Sequence, residues 1–157
     1  MAVRPNPKSH DPSALLAAFA ERCAANGIAE TPQRRSIYRV LAESLEHPTA
    51  EGVYLAIKSE IPGISLATVY RNLKLFADRG LIDEVATGAS VARFDANQRP
   101  HHHLICDECG SVVDSYSKAF AGLGRPGAEI DGFVVRDAKV NVYGACPDCR
   151  TAAGHND

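Results

Sequence analysis

Residues 65–80 have the sequence SLATVYRNLKLFADRG, which carries the strongest periodic pattern in the chain. Ser65 is a favourable N-cap and Gly80 a favourable C-terminal stop, so a helix is predicted between them. Apolar side chains recur on one face at Leu66, Val69, Leu73, Phe76 and Ala77. This spacing predicts an amphipathic helix that packs on a core. Leu75 lies on the other face, and the pattern does not explain it.

The polar face of this helix carries Thr68, Arg71 and Asn72, with Tyr70 at its border. Such a face is typical of a recognition helix in the DNA major groove, where Arg71 can bind guanine and Tyr70 can contact a thymine methyl group. Ser65 and Thr68, near the helix N-terminus, suit phosphate oxygens. The alternative is an ordinary solvated helix face.

Three helices are predicted before this one and a β-hairpin after it. The first begins at Pro12, the second is capped by Thr31, and the third is capped by Thr49. Two short segments, 81–86 and 90–95, have the composition of paired strands. Helices followed by a hairpin are typical of a winged helix-turn-helix domain.

Two cysteine pairs dominate the C-terminal part of the chain. They have the sequences CDEC and CPDC and comprise Cys106, Cys109, Cys146 and Cys149. Two CxxC pairs supply four thiolates for one tetrahedral Zn²⁺. The N-terminus lacks the features of a secretory signal and no apolar run approaches membrane length, so we expect a cytoplasmic protein without a membrane partner. Cytoplasmic cysteine pairs bind metal more often than they form disulfides, which are the alternative. One structural zinc ion is therefore predicted.

A histidine triplet stands just ahead of the first cysteine pair. In an extended strand, His101 and His103 project to one face and His102 to the opposite face. The imidazoles do not fit into a closed four-cysteine shell. They therefore indicate a second metal of a different kind.

The overall composition limits the class of function. The chain has 157 residues, of which 45% are hydrophobic, and a formal net charge of −2. It is long enough for two small domains. Because nucleic-acid-binding domains are usually basic, any DNA contact must come from a local patch of the surface.

Six segments together resemble the ferric uptake regulator family. They are TPQRRSIYRVL, HPTAEGVY, SLATVYRNLKLFADRGL, RFD, HHHLICDECG and VYGACPDCR, in family order over roughly residues 15–150. The resemblance implies an α+β protein with an N-terminal winged helix-turn-helix domain over 1–96, a hinge over 97–100 and a C-terminal α/β dimerisation domain over 101–157 with a four-cysteine zinc site. It also implies a homodimeric, metal-dependent transcriptional repressor, not an enzyme, that binds a palindromic operator in double-stranded DNA.

Within the family, the chain is most similar to the peroxide-sensing branch. The regulatory site of that branch uses three histidines and two aspartates, which match His47, Asp95, His101, His103 and Asp114. Iron-sensing relatives typically carry glutamate at the position of Asp114. Such a nitrogen and oxygen donor set suits Fe²⁺ or Mn²⁺, one per subunit. The resemblance implies that peroxide oxidises His47 and His101.

Other functions remain open at this stage. A sensor of iron level is the first alternative and a sensor of zinc level the second. An iron oxygenase needs only two histidines and one carboxylate, and no thioredoxin-like βαβ unit surrounds the CxxC pairs, which argues against an enzyme. A metal-storage protein would leave Tyr70 and Arg71 unexplained.

Several segments depart from the family pattern. Residues 133–144 contain no histidine, so a further metal site found in some relatives is not predicted. Loop 27–30 lacks the lysine with which many relatives reach the minor groove. The stretch 117–130 favours a helix, but its glycines and prolines weaken that prediction. Cys23, on the apolar face of the first helix, is expected to be a buried hydrophobic residue.

Overall fold

The computed structural model of the chain describes residues 10–88, 91–120, 123, 126–152 and 154. The chain forms two compact units. Within the described residues, the N-terminal unit ends at Arg99 and the C-terminal unit begins at Pro100. Among the helices of the described residues, none has the length and apolar character that crossing a membrane requires.

The described residues of the N-terminal unit contain four helices and a short hairpin. They are α1 (Pro12–Ala25), α2 (Pro32–Glu43), α3 (Ala50–Ile57), α4 (Leu66–Asp78), β1 (Asp83–Val85) and β2 (Arg93–Asp95). The predicted caps are confirmed, because the side chains of Thr31, Thr49 and Ser65 each accept a hydrogen bond from a backbone N–H in the first turn. Asp11 caps α1 in the same way.

Aromatic rings from three helices form the centre of the N-terminal core. The ring of Phe19 stacks on that of Tyr38 at 4.5 Å between centroids, and Phe76 packs edge-on against both. Cys23 is fully buried in the same cluster, as expected, and burial raises the pKa of its thiol. Leu75 is partly buried and packs against this core, which explains its presence on α4.

The hairpin is shorter than the sequence pattern predicts. β1 and β2 pair antiparallel over three residues each, because Leu81 and Ile82 are instead buried in the helical core. Residues 89 and 90, in the predicted turn and second strand, lie outside the described residues. Thr49 forms an isolated bridge with Arg93, so the segment before α3 runs beside β2.

The C-terminal unit is built on a three-stranded sheet. Its strands and smaller elements are β3 (His102–Cys106), β4 (Val112–Ser115), β5 (Glu129–Ile130), β6 (Phe133–Val134), β7 (Asn141–Gly144) and α5 (Pro147–Ala152). β4 pairs antiparallel with β3, whereas β7 pairs parallel with it. β5 and β6 form a separate antiparallel hairpin.

The described part of the stretch 117–130 does not form the helix that its composition weakly favours. Its described part contains a single 3₁₀ turn at Lys118–Phe120 and then β5. Asp131 and Gly132 both have positive φ angles, 50° and 81°, which is the backbone of a tight hairpin turn between β5 and β6. Glycine and proline disfavour helix continuation and favour such turns.

Candidate metal centres and nucleic-acid interface

The four cysteines of the two CxxC pairs converge within the C-terminal unit. Their sulfur atoms all lie within 4.8 Å of one another, and none is in a disulfide. The Cys109 and Cys146 Sγ atoms are 3.9 Å apart. Four sulfurs at about 2.3 Å from a tetrahedral zinc ion would be separated by about 3.8 Å, so the cluster fits zinc.

The backbone around this cluster favours thiolate at Cys106. Burial alone would raise the pKa of Cys106, but hydrogen bonds from backbone groups of Cys109, Cys146 and Glu108 outweigh it and lower the pKa to about 6. The Cys146 N–H lies 3.3 Å from Cys106 Sγ. Hydrogen bonding to the neighbouring thiols raises the pKa of Cys149. A divalent cation would favour deprotonation of the whole set.

His47 and Asp95 form a buried pair in the N-terminal unit. His47 Nε2 lies 3.4 Å from Asp95 Oδ2, and both side chains are less than 5% exposed. The other Asp95 oxygen, Oδ1, accepts a hydrogen bond from the backbone N–H of Asn97 at 2.8 Å. This second bond, from the backbone two residues further along the chain, is of the Asx-turn type and orients the carboxylate.

The backbone of His47 has an unusual conformation. Its φ angle is 51°, in the left-handed region that non-glycine residues rarely adopt. Arg93 Nη1 donates to the His47 carbonyl at 3.1 Å, and the Phe94 N–H donates to the Pro48 carbonyl at 3.1 Å. Strand β2 thus holds the histidine segment in place. Sequence reasoning did not identify Arg93 as a supporting residue.

His101, His103 and Asp114 meet in the C-terminal unit. The His101 and His103 Nε2 atoms are 3.0 Å apart, and they lie 3.5 and 3.8 Å from Asp114 Oδ1. Ligand atoms at right angles around an ion, each at about 2.1 Å from it, would be about 3 Å apart, so these spacings are compatible with shared coordination. His103 and Asp114 are direct cross-strand partners of β3 and β4, which explains why the two side chains meet.

The middle histidine of the triplet has a different environment. His102 Nδ1 accepts a hydrogen bond from the Val140 N–H at 3.1 Å, and its ring packs edge-on against Phe120. Burial, and then the neighbouring His101 and His103, lower the pKa of His102. A neutral imidazole is consistent with its role as an acceptor. The strand alternation predicted this separation of His102 from its neighbours.

Helix α4 presents polar and aromatic groups to solvent. Arg71 is exposed, and Tyr70 is 48% exposed. Thr68 Oγ1 lies 2.9 Å from Ser65 Oγ and accepts a hydrogen bond from Arg71 Nη2 at 3.3 Å. Leu66, which the pattern placed with the core residues, is 43% exposed.

The sequence pattern placed Asn72 on this exposed face, but the structure does not. Its side-chain oxygen accepts a hydrogen bond from Arg34 Nε at 3.0 Å, and its side-chain nitrogen donates to the Thr68 carbonyl at 2.9 Å. The side chain is therefore committed within the N-terminal unit. A polar residue at the edge of an amphipathic pattern can point either way, and the pattern alone does not decide this.

Comparison with known proteins places these features in a family. The model of the ferric uptake regulator family matches residues 25–143. The chain is 40% identical over 124 residues to the peroxide-responsive repressor PerR of Staphylococcus aureus, covering 79% of this chain and 84% of that protein. It is 36% identical over 129 residues to the peroxide operon regulator of Bacillus subtilis, covering 82% and 89% respectively.

A solved structure gives the same picture. The ferric uptake regulator of Pseudomonas aeruginosa, determined with manganese, matches with a TM-score of 0.68 at 28% identity, covering 81% of this chain and 96% of that one. The family match extends from the end of α1 into β7 and so includes α4, both histidine segments and the first cysteine pair. The chain belongs to the ferric uptake regulator family.

Proposed function

We propose that this chain is a homodimeric, metal-dependent transcriptional repressor that senses peroxide through oxidation of histidine. The observation that carries the proposal is the convergence of His101, His103 and Asp114, with Nε2 atoms 3.0 Å apart and a carboxylate oxygen within 3.8 Å of both. The relatives from S. aureus and B. subtilis bear the names of peroxide-responsive regulators. Sensing of iron level, and less so of zinc level, is the alternative.

Two kinds of metal would serve this repressor. The Cys106, Cys109, Cys146 and Cys149 thiolates would hold one structural Zn²⁺ per subunit. A single Fe²⁺ or Mn²⁺ per subunit would bind the nitrogen and oxygen donors, for which these metals have suitable hardness. The proposed ligands are His47, Asp95, His101, His103 and Asp114. In this assignment residues 1–96 bind DNA, 97–100 form the hinge and 101–157 form the dimerisation domain.

The proposed regulatory step follows from the distribution of these ligands along the chain. An ion bound by all five would restrain the arrangement of the two units, because His47 and Asp95 belong to one unit and the other ligands to the second. A ligand shifts a conformational equilibrium only by its differential affinity for the two states. Metal would therefore favour the arrangement that fits the operator, and its loss would release the gene.

Peroxide would act on the histidines themselves. Bound Fe²⁺ would supply the one-electron chemistry that cleaves the O–O bond of hydrogen peroxide, which Mn²⁺ does not readily do, while the net reductant would be the imidazole ring. One oxygen atom would pass from hydrogen peroxide to the imidazole carbon of His47 or His101, and the second oxygen would leave as water. An oxidised ring is a poorer nitrogen donor, so the ligand set would lose a member and DNA would be released.

The exposed face of α4 would bind the major groove of a palindromic operator. Arg71 would bind guanine, Tyr70 would contact a thymine methyl group, and Ser65 and Thr68 would contact phosphate. A dimer would place two such helices about one helical turn of DNA apart. In the C-terminal unit, a groove of about 310 Å³ exposes Leu104, Val142 and Tyr143, and this apolar surface is suited to a second copy of the chain.

Peptide mass spectrometry tests this function most directly. The zinc-containing protein is loaded anaerobically with Fe²⁺ or Mn²⁺, treated with a small excess of hydrogen peroxide and digested. We expect one added oxygen atom on the peptides containing His47 or His101 in the iron form only. Unmodified histidines in the iron form, with the zinc cysteines intact, would instead support a sensor of iron level.

A further inference from the structure

Arg34 links the loop before α2 to the middle of α4. Its guanidinium donates from Nε to Asn72 Oδ1 at 3.0 Å and from Nη1 to the Ala29 carbonyl at 2.7 Å. The backbone N–H of Arg34 is itself bonded to Thr31 Oγ1, the cap of α2. One side chain therefore connects three segments of the N-terminal unit.

The orientation of the Asn72 amide is determined by its two partners. A guanidinium can only donate, so Asn72 must present its oxygen to Arg34. The Thr68 carbonyl can only accept, so Asn72 must present its nitrogen there, at 2.9 Å. Both requirements are met by a single amide orientation, and the reversed one would lose both bonds. The amide is therefore held firmly between α2 and α4.

Asn72 restrains Thr68, which lies beside the side chains that are proposed to contact DNA. The backbone carbonyl of Thr68 is bonded to Asn72, and its hydroxyl is bonded to Ser65 Oγ and Arg71 Nη2. A shift of Arg34 or Asn72 would consequently be transmitted to Thr68 and Arg71. A two-bond fork from arginine to guanine tolerates little displacement.

We propose that Arg34 and Asn72 are positioning residues for DNA recognition, which hold the Thr68–Arg71 segment of α4 in the orientation that fits an operator without touching DNA. The proposal rests on the DNA-binding function proposed above. It assigns to Asn72 a role inside the N-terminal unit, and it predicts that a charged residue at the start of α2 affects which bases are recognised.

Arg35 provides a matched control, because it is the adjacent arginine in a different environment. It is paired with Glu30 at the surface at 2.9 Å, and its side chain is 49% exposed. Arg34→Gln and Arg35→Gln therefore remove the same charge one residue apart. Arg34→Lys adds a third comparison, since lysine keeps the charge but cannot donate in two fixed directions.

The test measures DNA affinity of the full-length, zinc-containing, Mn²⁺-loaded protein. Duplexes are selected from a random pool with the unmodified protein, and dissociation constants are then measured for a selected and a scrambled duplex over a range of salt concentrations. For Arg34→Gln we expect a loss of about tenfold or more on the selected duplex, as for a charged hydrogen bond, and little change on the scrambled one. Arg34→Lys should also lose discrimination, and Arg35→Gln should retain it.

A double-mutant cycle with Asn72→Ala identifies the route of the effect. If Arg34 acts through Asn72, the double variant discriminates no worse than Arg34→Gln alone, and the salt dependence is that of the unmodified protein. The proposal would be overturned if the losses of the two single variants multiplied in the double variant and the slope of log affinity against log salt concentration fell by about one. Arg34 would then be a phosphate contact. Unchanged discrimination in Arg34→Gln would overturn it as well.

Two further observations distinguish an unfolded variant, or a wrong DNA-binding function, from a wrong positioning role. Thermal unfolding of each variant establishes that the N-terminal unit is folded at the temperature of the binding assay, and Arg34→Lys serves if Arg34→Gln is not. If the unmodified protein selects no duplex at all, the proposed DNA-binding function itself is wrong. If the unmodified protein selects a duplex normally and the Arg34 variants discriminate as well as it does, only the positioning role is refuted.

Discussion

The four cysteines and the five histidine and aspartate residues differ in how the fold supplies them. All four cysteines belong to the C-terminal unit, and their sulfurs cluster within 4.8 Å. The histidine and aspartate donors come from both units, as the pair of His47 and Asp95 and the set of His101, His103 and Asp114. Metal bound within one unit stabilises that unit. In the proposed function, metal bound by donors of both units would also depend on how those units are arranged.

The two donor sets also differ in chemistry. Thiolates form strong bonds to zinc and close its coordination shell, which favours permanent occupancy. Imidazole and carboxylate groups bind Fe²⁺ and Mn²⁺ more weakly, which favours exchange with the metal available. In the proposed function, this difference separates a metal that would maintain the fold from a metal that would report a condition. The following predictions test that separation, beginning with the largest expected effect.

Replacement of a zinc-binding cysteine should unfold the C-terminal unit. We expect Cys106→Ser to lose zinc and, with it, stabilisation of about 10 kcal/mol or more, because binding of structural zinc is coupled to folding. The measurements are zinc content and circular dichroism during thermal unfolding. Cys23→Ala is the matched control, since Cys23 is buried in the N-terminal core and should leave zinc content unchanged. Retention of a folded C-terminal unit without zinc would contradict the assignment.

Replacement of a histidine in the second donor set should leave the fold intact and remove regulation. His103→Ala should keep zinc and its unfolding transition, yet lose Mn²⁺ binding and weaken Mn²⁺-dependent DNA affinity by about 5- to 150-fold, the usual range of allosteric coupling. Metal titration and DNA-binding assays measure both effects. His102→Gln, within the same triplet, is the control that should bind Mn²⁺ normally. Equal losses in the two variants would mean that the triplet acts only through packing.

Much of the N-terminal fold could be predicted from local pattern. The caps at Thr31, Thr49 and Ser65 and the apolar period of α4 are local features of the chain, and the helices begin where these residues predict. The inward position of Asn72 could not be predicted, because it depends on Arg34, which is 38 residues away. The packing of Leu75 likewise depends on neighbouring helices.

The C-terminal unit was less predictable for the same physical reason. The cysteine spacing indicated that four thiols would meet, and strand alternation indicated that His101 and His103 would share a face. The parallel pairing of β3 with β7 joins distant segments, and no short-range pattern encodes it. α5 begins inside the second cysteine pair and continues past Cys149 to Ala152.

A substitution at Asp114 tests whether the chain senses peroxide or iron. Asp114→Glu should retain zinc and Mn²⁺ binding, since the carboxylate is preserved. Its longer side chain should shift the bound ion relative to His101 and slow histidine oxidation in the iron form, by about ten- to a hundredfold if the displacement approaches 1 Å. Time-resolved peptide mass spectrometry measures the rate. Oxidation at the original rate would remove Asp114 as the basis for assigning the chain to the peroxide-sensing branch.

The smallest expected effect concerns the support of His47 by its own unit. Thr49 lies two residues after His47 and caps α3. Its Oγ1 accepts a hydrogen bond from the Gly52 N–H at 3.1 Å. Thr49→Ala should lower the free energy of unfolding of the N-terminal unit by about 1 kcal/mol, the usual cost of losing a cap.

The same change should weaken Mn²⁺ binding modestly, because the His47 segment loses part of its anchor, while zinc content stays constant. Thr49→Ser, which keeps the hydroxyl, should restore both quantities. Denaturant unfolding and Mn²⁺ titration provide the two measurements. If Thr49→Ala lowered stability and left Mn²⁺ affinity unchanged, metal binding would be independent of the His47 segment, and the division of the donors between the two units would have no regulatory consequence.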